Sequence, residues 1–389
     1  MTVLYILFYT SLVILFYAYL GYGLLLLLLP GKRNSGKEQE QAFPALTMII
    51  AAWNEAPVLE QKIQNTKALV YPPGLLKIII VTDGSTDDTV SILKKYPEIL
   101  HLHQPVRQGK YAAIREAMQQ VRTPIVVFTD ANSQLNPEAL RRLTAHYADP
   151  RTGAVAGEKK IITGINNTAV GQAEGMYWRY ESFMKKLDAR FYSVVGAAGE
   201  LFSIRTELFS PMEHDMILDD FIISMQVALQ GYRTAYEPGA FAAETASASL
   251  QEEQKRKIRI AAGAYEAAGI LRGALTMKRY PRLFFQYFSR RILRWFYCPF
   301  LLIVILITNC LIVLQPGAPF FYQLVLAAQG LYYLLSLAGW LLLRAGKKAG
   351  VLGIPYYFLF MNFCLVRGLL LYLRKKQVVL WEKAERQPA

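Results

Sequence analysis

Residues 3–29 form an almost unbroken apolar run that ends in Pro30, Gly31, Lys32 and Arg33. About 20 such residues suffice to cross the hydrocarbon core of a bilayer, so this segment is expected to sit in lipid. No Lys or Arg precedes the run and no small-residue cleavage site follows it, which makes residues 1–31 an expected retained anchor rather than a signal peptide. The positive charges behind it place residue 32 onward in the cytoplasm. Apolar sequence returns after residue 280, and residues 297–314 and 320–343 are both long enough to span. Charge follows the same partition. Residues 1–271 hold 27 basic and 27 acidic side chains, whereas 272–389 hold 16 basic and 2 acidic, so the whole net charge of +14 lies beside apolar runs. A nucleic-acid binder would carry that excess on a soluble domain. Basic residues flanking apolar segments instead mark a membrane protein at its cytoplasmic leaflet.

Between the apolar parts lies a different pattern. Residues 32–43 are a short polar linker, and from residue 44 strand-like and helix-like stretches alternate to about residue 271. LTMIIAAWN (46–54), KIIIVTD (77–83), HLHQP (101–105), TPIVVFTDANS (123–133) and AVAGEKKI (154–161) read as strands with helices between them. Such alternation implies an α/β domain with a mostly parallel, Rossmann-like sheet covered on both faces. Ser85 or Thr86 is expected to cap the helix after the second strand. His101 and His103 alternate within the third strand and read as strand residues, not ligands. The three cysteines lie in apolar stretches without CxxC spacing, which disfavours a disulfide framework and a zinc site.

Past the domain, residues 272–296 place Arg282, Arg290, Arg291 and Arg294 among aromatic and aliphatic residues, the composition of a helix lying in the membrane interface. Residues 297–373 are expected to be a transmembrane bundle and 374–389 a basic tail. The run 351–373 contains Pro355 and Arg367 and is followed by Arg374, Lys375 and Lys376. A full crossing would carry Arg367 through hydrocarbon and leave the tail outside. A re-entrant or packed segment, broken near Pro355, with a cytoplasmic C-terminus is therefore expected, an ordinary third span being the alternative.

In open α/β sheets ligands bind at the carboxyl ends of strands, and four polar clusters fall there. They are Asn54-Glu55, Asp83-Gly84-Ser85, Asp130-Ala131-Asn132, and Arg107-Gln108-Gly109-Lys110 before the third helix. Singly each is an ordinary turn; together they describe a ligand site. Asp83 can accept from a base or ribose, Lys110 offers a point charge to phosphate, and Asp130 and Asn132 offer oxygens to a hard cation such as Mg²⁺ or Mn²⁺ held with a diphosphate. Neither GxxxxGK[ST] nor GxGxxG occurs, which disfavours P-loop and dinucleotide chemistry.

With AAWNEA (51–56), VTDGSTDDT (81–89), RQGKYAA (107–113), FTDANS (128–133), GAAGELFSIR (196–205), ILDDF (217–221), RKIRIAAG (256–263) and VLWEKAER (379–386), the chain resembles the inverting family 2 glycosyltransferases of GT-A fold, in their membrane-embedded, polysaccharide-synthase-like branch. The resemblance implies that Asn54, Glu55 and Asp83 line a uridine-nucleotide pocket with Lys110 near the diphosphate. It implies that Asp130 and Asn132 match the DxD metal and donor motif, with Asn in place of the second Asp. Asp219-Asp220 match the motif whose Asp is the catalytic base, so Asp220 is the expected base. Gly199 and Glu200 are expected on the acceptor side, and Arg256 and Arg259 beside the donor diphosphate. Of the QxxRW element only Arg259 is retained, Arg256 standing for Gln and Ile260 for Trp.

The expected protein is thus a multi-pass enzyme of the cell (inner) membrane with a cytoplasmic GT-A domain. It would use a UDP-sugar and Mg²⁺ or Mn²⁺ to extend a β-linked glycan, with membrane lipids and export or assembly proteins as partners and no nucleic acid. Two alternatives stand beside this expectation: a single transfer to a lipid-linked acceptor, and a catalytically silent scaffold.

Overall fold

The computed structural model describes residues 2–31, 43–162, 169–213, 216–245 and 249–375. The expected linker and the tail beyond Lys375 lie outside those residues almost entirely. The first helix runs as α1 (Thr2–Phe16), a π-helical stretch (Tyr17–Gly21) and α2 (Tyr22–Leu28) without interruption.

β1 (Leu46–Ala52) is buried at every position, as a strand covered on both faces must be. α3 (Ala56–Lys67) follows, then β2 (Leu76–Asp83), α4 (Thr89–Leu93), β3 (Leu100–Gln104), α5 (Lys110–Met118) and β4 (Ile125–Asp130). Neither Ser85 nor Thr86 caps α4. Asp87 does so in effect: its Oδ1 accepts the Thr89 amide at 3.0 Å and its Oδ2 the Ala56 amide at 3.1 Å, joining two strand-end turns. β5 (Gln134–Leu135), α6 (Ala139–Ala145), β6 (Thr152–Ile162), α7 (Ala169–Phe191), β7 (Leu201–Arg205), α8 (Asp219–Leu229), β8 (Arg233–Thr245) and α9 (Leu250–Ile270) complete the domain. Ser249 caps α9, its side chain accepting the Glu252 amide at 3.2 Å.

The sheet order is β3-β2-β1-β4-β7-β6-β8-β5. The half carrying β3, β2, β1 and β4 is parallel. β7 runs antiparallel to both β4 and β6, and β8 lies parallel to β6. The sheet is therefore Rossmann-like and mixed, with one apolar cluster on each face.

α10 (Pro281–Tyr287), a π-helical stretch (Phe288–Tyr297) and α11 (Cys298–Val313) form one continuous helix, followed by α12 (Phe320–Arg344) and α13 (Gly353–Leu373). With the N-terminal helix, this makes four helices among the described residues that are long and apolar enough to cross a membrane. Two details differ from the sequence expectation. α13 is unbroken, because Pro355 sits in its first turn, where its missing N–H has no intrahelical partner to lose. Arg290, Arg291 and Arg294 turn inward onto the α/β domain. All three reach Glu181 of α7, at 2.9, 3.5 and 3.1 Å, and Arg290 also pairs with Asp188 at 2.9 Å. Asp188 in turn accepts from the Tyr22 hydroxyl at 2.6 Å, so α7 is pinned between the first helix and α10–α11. Burial raises the proton affinity of Glu181, but the three guanidinium groups outweigh it and hold the carboxyl well below its ordinary range.

Candidate active site

The sequence-selected residues converge on the carboxyl end of the parallel half. Asp130 ends β4, and its Oδ1 accepts from Lys110 Nζ at 2.6 Å. Lys110, at the first position of α5, is also 3.8 Å from Asp219 Oδ2. Asp219 and Asp220 open α8, where the helix N-terminus favours negative charge. Gly199 brings its backbone against this group: a Cβ there would lie 3.2 Å from both Asp220 Oδ2 and Lys110 Nζ. Burial, and after it the Asp219 charge, pushes the Asp220 carboxyl up to about 7, with Lys110 opposing.

Behind the motif is a lysine that the sequence reading did not select. Lys62 is fully buried, and its Nζ donates to Thr129 Oγ1 at 3.0 Å and to the Ser133 carbonyl at 2.8 Å. Burial lowers its ammonium to about 7. Thr129 Oγ1 also donates to the Glu200 carbonyl at 2.8 Å, fixing the Asp130 turn against the Gly199–Glu200 loop.

Asp130, Glu200 and Glu244 each bring a carboxylate oxygen within 4.8 Å of the others. Burial raises the Asp130 carboxyl, and Glu244 and Glu200 add to it against the opposing charge of Lys110. Lys110 holds Asp130, and the all-oxygen donors of the three carboxylates suit a hard divalent cation. Glu244 had no local signal, since it lies within β8, a strand the sequence reading passed over. Lys159 was hidden likewise. It is buried on β6 and bridges Glu200 and Glu244, lying 2.8 Å from the latter.

A cavity of about 1200 Å³ joins these groups to the apolar helices. Glu55, Lys110, Asp130, Asn132, Gly199, Glu200, Asp219, Asp220, Arg256 and Arg259 all line it, as do Tyr19, Tyr357, Phe358 and Asn362 of the apolar helices. Arg256 is tied to Glu174 at 2.5 Å and Glu253 at 2.8 Å. Asn54 and Asp83 are not in the wall. Asp83 is fully buried, and its two oxygens accept the Gln108 amide at 2.6 Å and the Gly109 amide at 2.8 Å. Asn54 takes a left-handed backbone (φ 53°), and its Oδ1 accepts the Thr86 amide at 2.8 Å. In this structure both residues hold turns together beside the cavity. Gly109 Cα supplies the φ of 115° that lets the chain turn into α5 beneath Asp83.

Residues 47–211 match the family described as Glycosyl transferase family 2. The poly-beta-1,6-N-acetyl-D-glucosamine synthase of Staphylococcus aureus is 27% identical over 251 residues, covering 61% of this chain and 58% of that protein. The synthase of the same description from Staphylococcus epidermidis is 25% identical over 242 residues, covering 59% and 57%. The match thus spans less than two thirds of these curated relatives. In fold, the chain is similar over 96% of its length to a mannosyltransferase from Pyrobaculum calidifontis solved with GDP-Man and Mn2+, with a TM-score of 0.73 and 21% identity. That likeness extends to 99% of the other chain, so the apolar helices as well as the α/β domain share its arrangement. A GT-A domain whose acid pair, strand-end carboxylate and lysine meet in one cavity beside four apolar helices agrees with these likenesses: residues 47–211 carry a glycosyltransferase family 2 domain.

Proposed function

We propose that the chain transfers a sugar from a UDP-sugar to a hydroxyl of a growing glycan, with inversion to a β-linkage, at the cytoplasmic face of the membrane. The observation that carries this is the meeting of Asp220 with Lys110 and Asp130 in one cavity that continues to the apolar helices. Asp220 removes the proton from the acceptor hydroxyl, and the oxygen attacks the anomeric carbon. The bond from that carbon to the diphosphate breaks on the opposite face, and UDP leaves with the electron pair. Lys110 and Arg259 supply positive charge where the leaving diphosphate develops its own. Asp130 and Asn132, with Glu200 and Glu244 in reach, would hold a Mg²⁺ or Mn²⁺ ion, which supplies further charge neutralisation when bound.

The relatives are named as synthases of a β-1,6-linked N-acetylglucosamine polymer, which makes UDP-N-acetylglucosamine the first donor to try. The test is UDP or GDP release by the purified full chain across UDP-N-acetylglucosamine, UDP-glucose, UDP-N-acetylgalactosamine and GDP-mannose, with Mn²⁺, Mg²⁺ or excess EDTA. Release from a UDP-sugar, abolished by EDTA, is expected. Release from none of them would leave the scaffold alternative standing, and full activity in EDTA would refute the metal assignment. Product-size analysis then separates polymer from single transfer. The second outcome has its own support, because the cavity wall at Tyr19, Tyr357 and Phe358 could receive a lipid-linked acceptor.

A further inference from the structure

α7 brings into the cavity a group that neither the acid pair nor the donor motif uses. Trp178 is half-buried in the cavity wall, and three ammonium groups surround its indole. Lys159 Nζ lies 5.1 Å from the ring centroid, Lys185 Nζ 5.8 Å and Lys257 Nζ 5.9 Å. Two of the three have carboxylate partners: Lys159 is bound to Glu200 and Glu244, and Lys257 lies 3.5 Å from Glu253. Lys185 differs. It is 3% exposed and lines the cavity, yet its Nζ has no hydrogen-bond partner among the described residues. The nearby carboxylates are engaged elsewhere, Glu158 by Ser182 and Tyr236, Glu181 by the three arginines, and Glu200 by Lys159. A buried ammonium left without a hydrogen bond is costly, and in a cavity wall it marks where a ligand supplies the missing acceptor.

Its place along the cavity is informative. Glu200, which holds Lys159 under the indole, directly follows Gly199, and Gly199 abuts Asp220 Oδ2. The indole is therefore linked to the acid pair through Lys159, Glu200 and Gly199. α13 residues Tyr357, Phe358 and Asn362 continue the wall from there.

We propose that Trp178 and Lys185 form the acceptor subsite and that its ligand is the terminal pyranose of a carbohydrate chain. A pyranose has an apolar C–H face and hydroxyls at its rim. The flat, electron-rich indole suits the face, and an unpaired ammonium gives charge-assisted hydrogen bonds to the rim. Such a site, aromatic with few polar groups, is what orients a small ligand. A lipid phosphate fits less well, because Arg290, Arg291 and Arg294, which would suit it, already converge on Glu181. This assignment rests on the glycosyltransferase reading and adds to it the side chains that seat the acceptor.

The test uses the full chain in nanodiscs, with a β-1,6-linked N-acetylglucosamine tetrasaccharide as acceptor at saturating donor. Trp178→Ala is expected to raise the acceptor KM by about tenfold or more, the loss of one good aromatic contact. Trp178→Phe should recover most of that loss, and Lys185→Met should raise KM while UDP affinity, read by calorimetry, stays within about twofold in all three variants. An acceptor KM unchanged in Trp178→Ala, or UDP affinity falling in parallel with it, would overturn the subsite. A wild type that releases UDP but ignores the tetrasaccharide, with or without stimulation by a polyprenyl phosphate, would overturn the carbohydrate assignment. A wild type that releases UDP from no sugar nucleotide defeats the proposed function first, and the subsite with it.

Discussion

The role of base proposed for Asp220 conflicts with its contribution to stability. Its carboxyl, pushed up to about 7 by burial and by Asp219, sits well above the ordinary carboxylate value of about 3.9. The folded state thus binds its proton more tightly than the unfolded chain does. Its contribution to stability is fully present below the unfolded value and is lost as pH rises through about 7. Catalysis needs the opposite state, so kcat is expected to rise with pH along an acid limb. Asp219→Asn removes a repelling charge and should shift that limb to lower pH in a kcat–pH profile. Asp220→Asn should lose about 10²–10⁴-fold or more in turnover with UDP binding kept, and should melt higher than wild type at pH 8. Near wild-type turnover in that variant would reassign the base. At the metal motif, Asn132→Asp restores a second carboxylate and should tighten Mn²⁺ binding measured by electron paramagnetic resonance. Weaker binding there would show that Asn132 is not a ligand. The residues legible in sequence were those at strand ends, where Asp130 and Lys110 stand in recognisable turns. Lys62, Lys159 and Glu244 escaped because they act from inside α3, β6 and β8, where a charged residue looks like an exposed face until the fold buries it.

Among the elements, the parallel strands and their helices were readable because their apolar periods are clean. β7 and β8 were not. β8 contains Pro238-Gly239 in its middle, where its pairing with β6 shifts register between Gly157 and Glu158, so no uninterrupted period marks β8. The contact of α9 with α13 is equally invisible in sequence, and it depends on small side chains. Gly368 of α13 faces Ala261 and Ala262 of α9 so closely that a Cβ would lie 2.5 Å from Ala261 Cβ and 2.8 Å from the Ala262 nitrogen. Gly368→Val must therefore part the two helices, at a cost of about 1–3 kcal/mol for overpacking. Thermal unfolding should show a lower Tm for it, with Gly330→Ala, which meets nothing within 4 Å, as the near-neutral control. Equal melting of the two variants would mean that the crossing is not tightly packed.

For the whole molecule, that same contact bears on which way the chain ends. Counting four apolar helices as four crossings puts Lys375 on the side opposite the α/β domain. The packing of α13 argues otherwise. Tyr357 donates to Glu253 at 3.0 Å, Gly368 abuts Ala261, and Tyr372 stacks near Tyr265 with ring centroids 6.4 Å apart. α13 therefore lies alongside α9 over most of its length. α9 carries Glu252, Glu253, Lys255, Arg256, Lys257, Arg259 and Glu266, a composition that keeps it out of hydrocarbon. A helix held parallel to it is expected to stay at the interface too. Arg367 is exposed on α13, and a full crossing would set it toward lipid at about 2.5–3.5 kcal/mol if central and unpaired. Lys and Arg after the helix add the usual preference for the cytoplasmic side. The expected break at Pro355 does not exist, and the expectation that the chain ends on the domain's side now rests on this packing and is open to test. In a chain with Cys298, Cys310 and Cys364 replaced by Ala, Ala389→Cys should share the sidedness of Ser91→Cys, an exposed position on α4. Both should resist a membrane-impermeant maleimide in intact cells and react after permeabilisation. Labelling of position 389 but not 91 in intact cells would make α13 a true crossing, with its contact to α9 formed only along the membrane boundary.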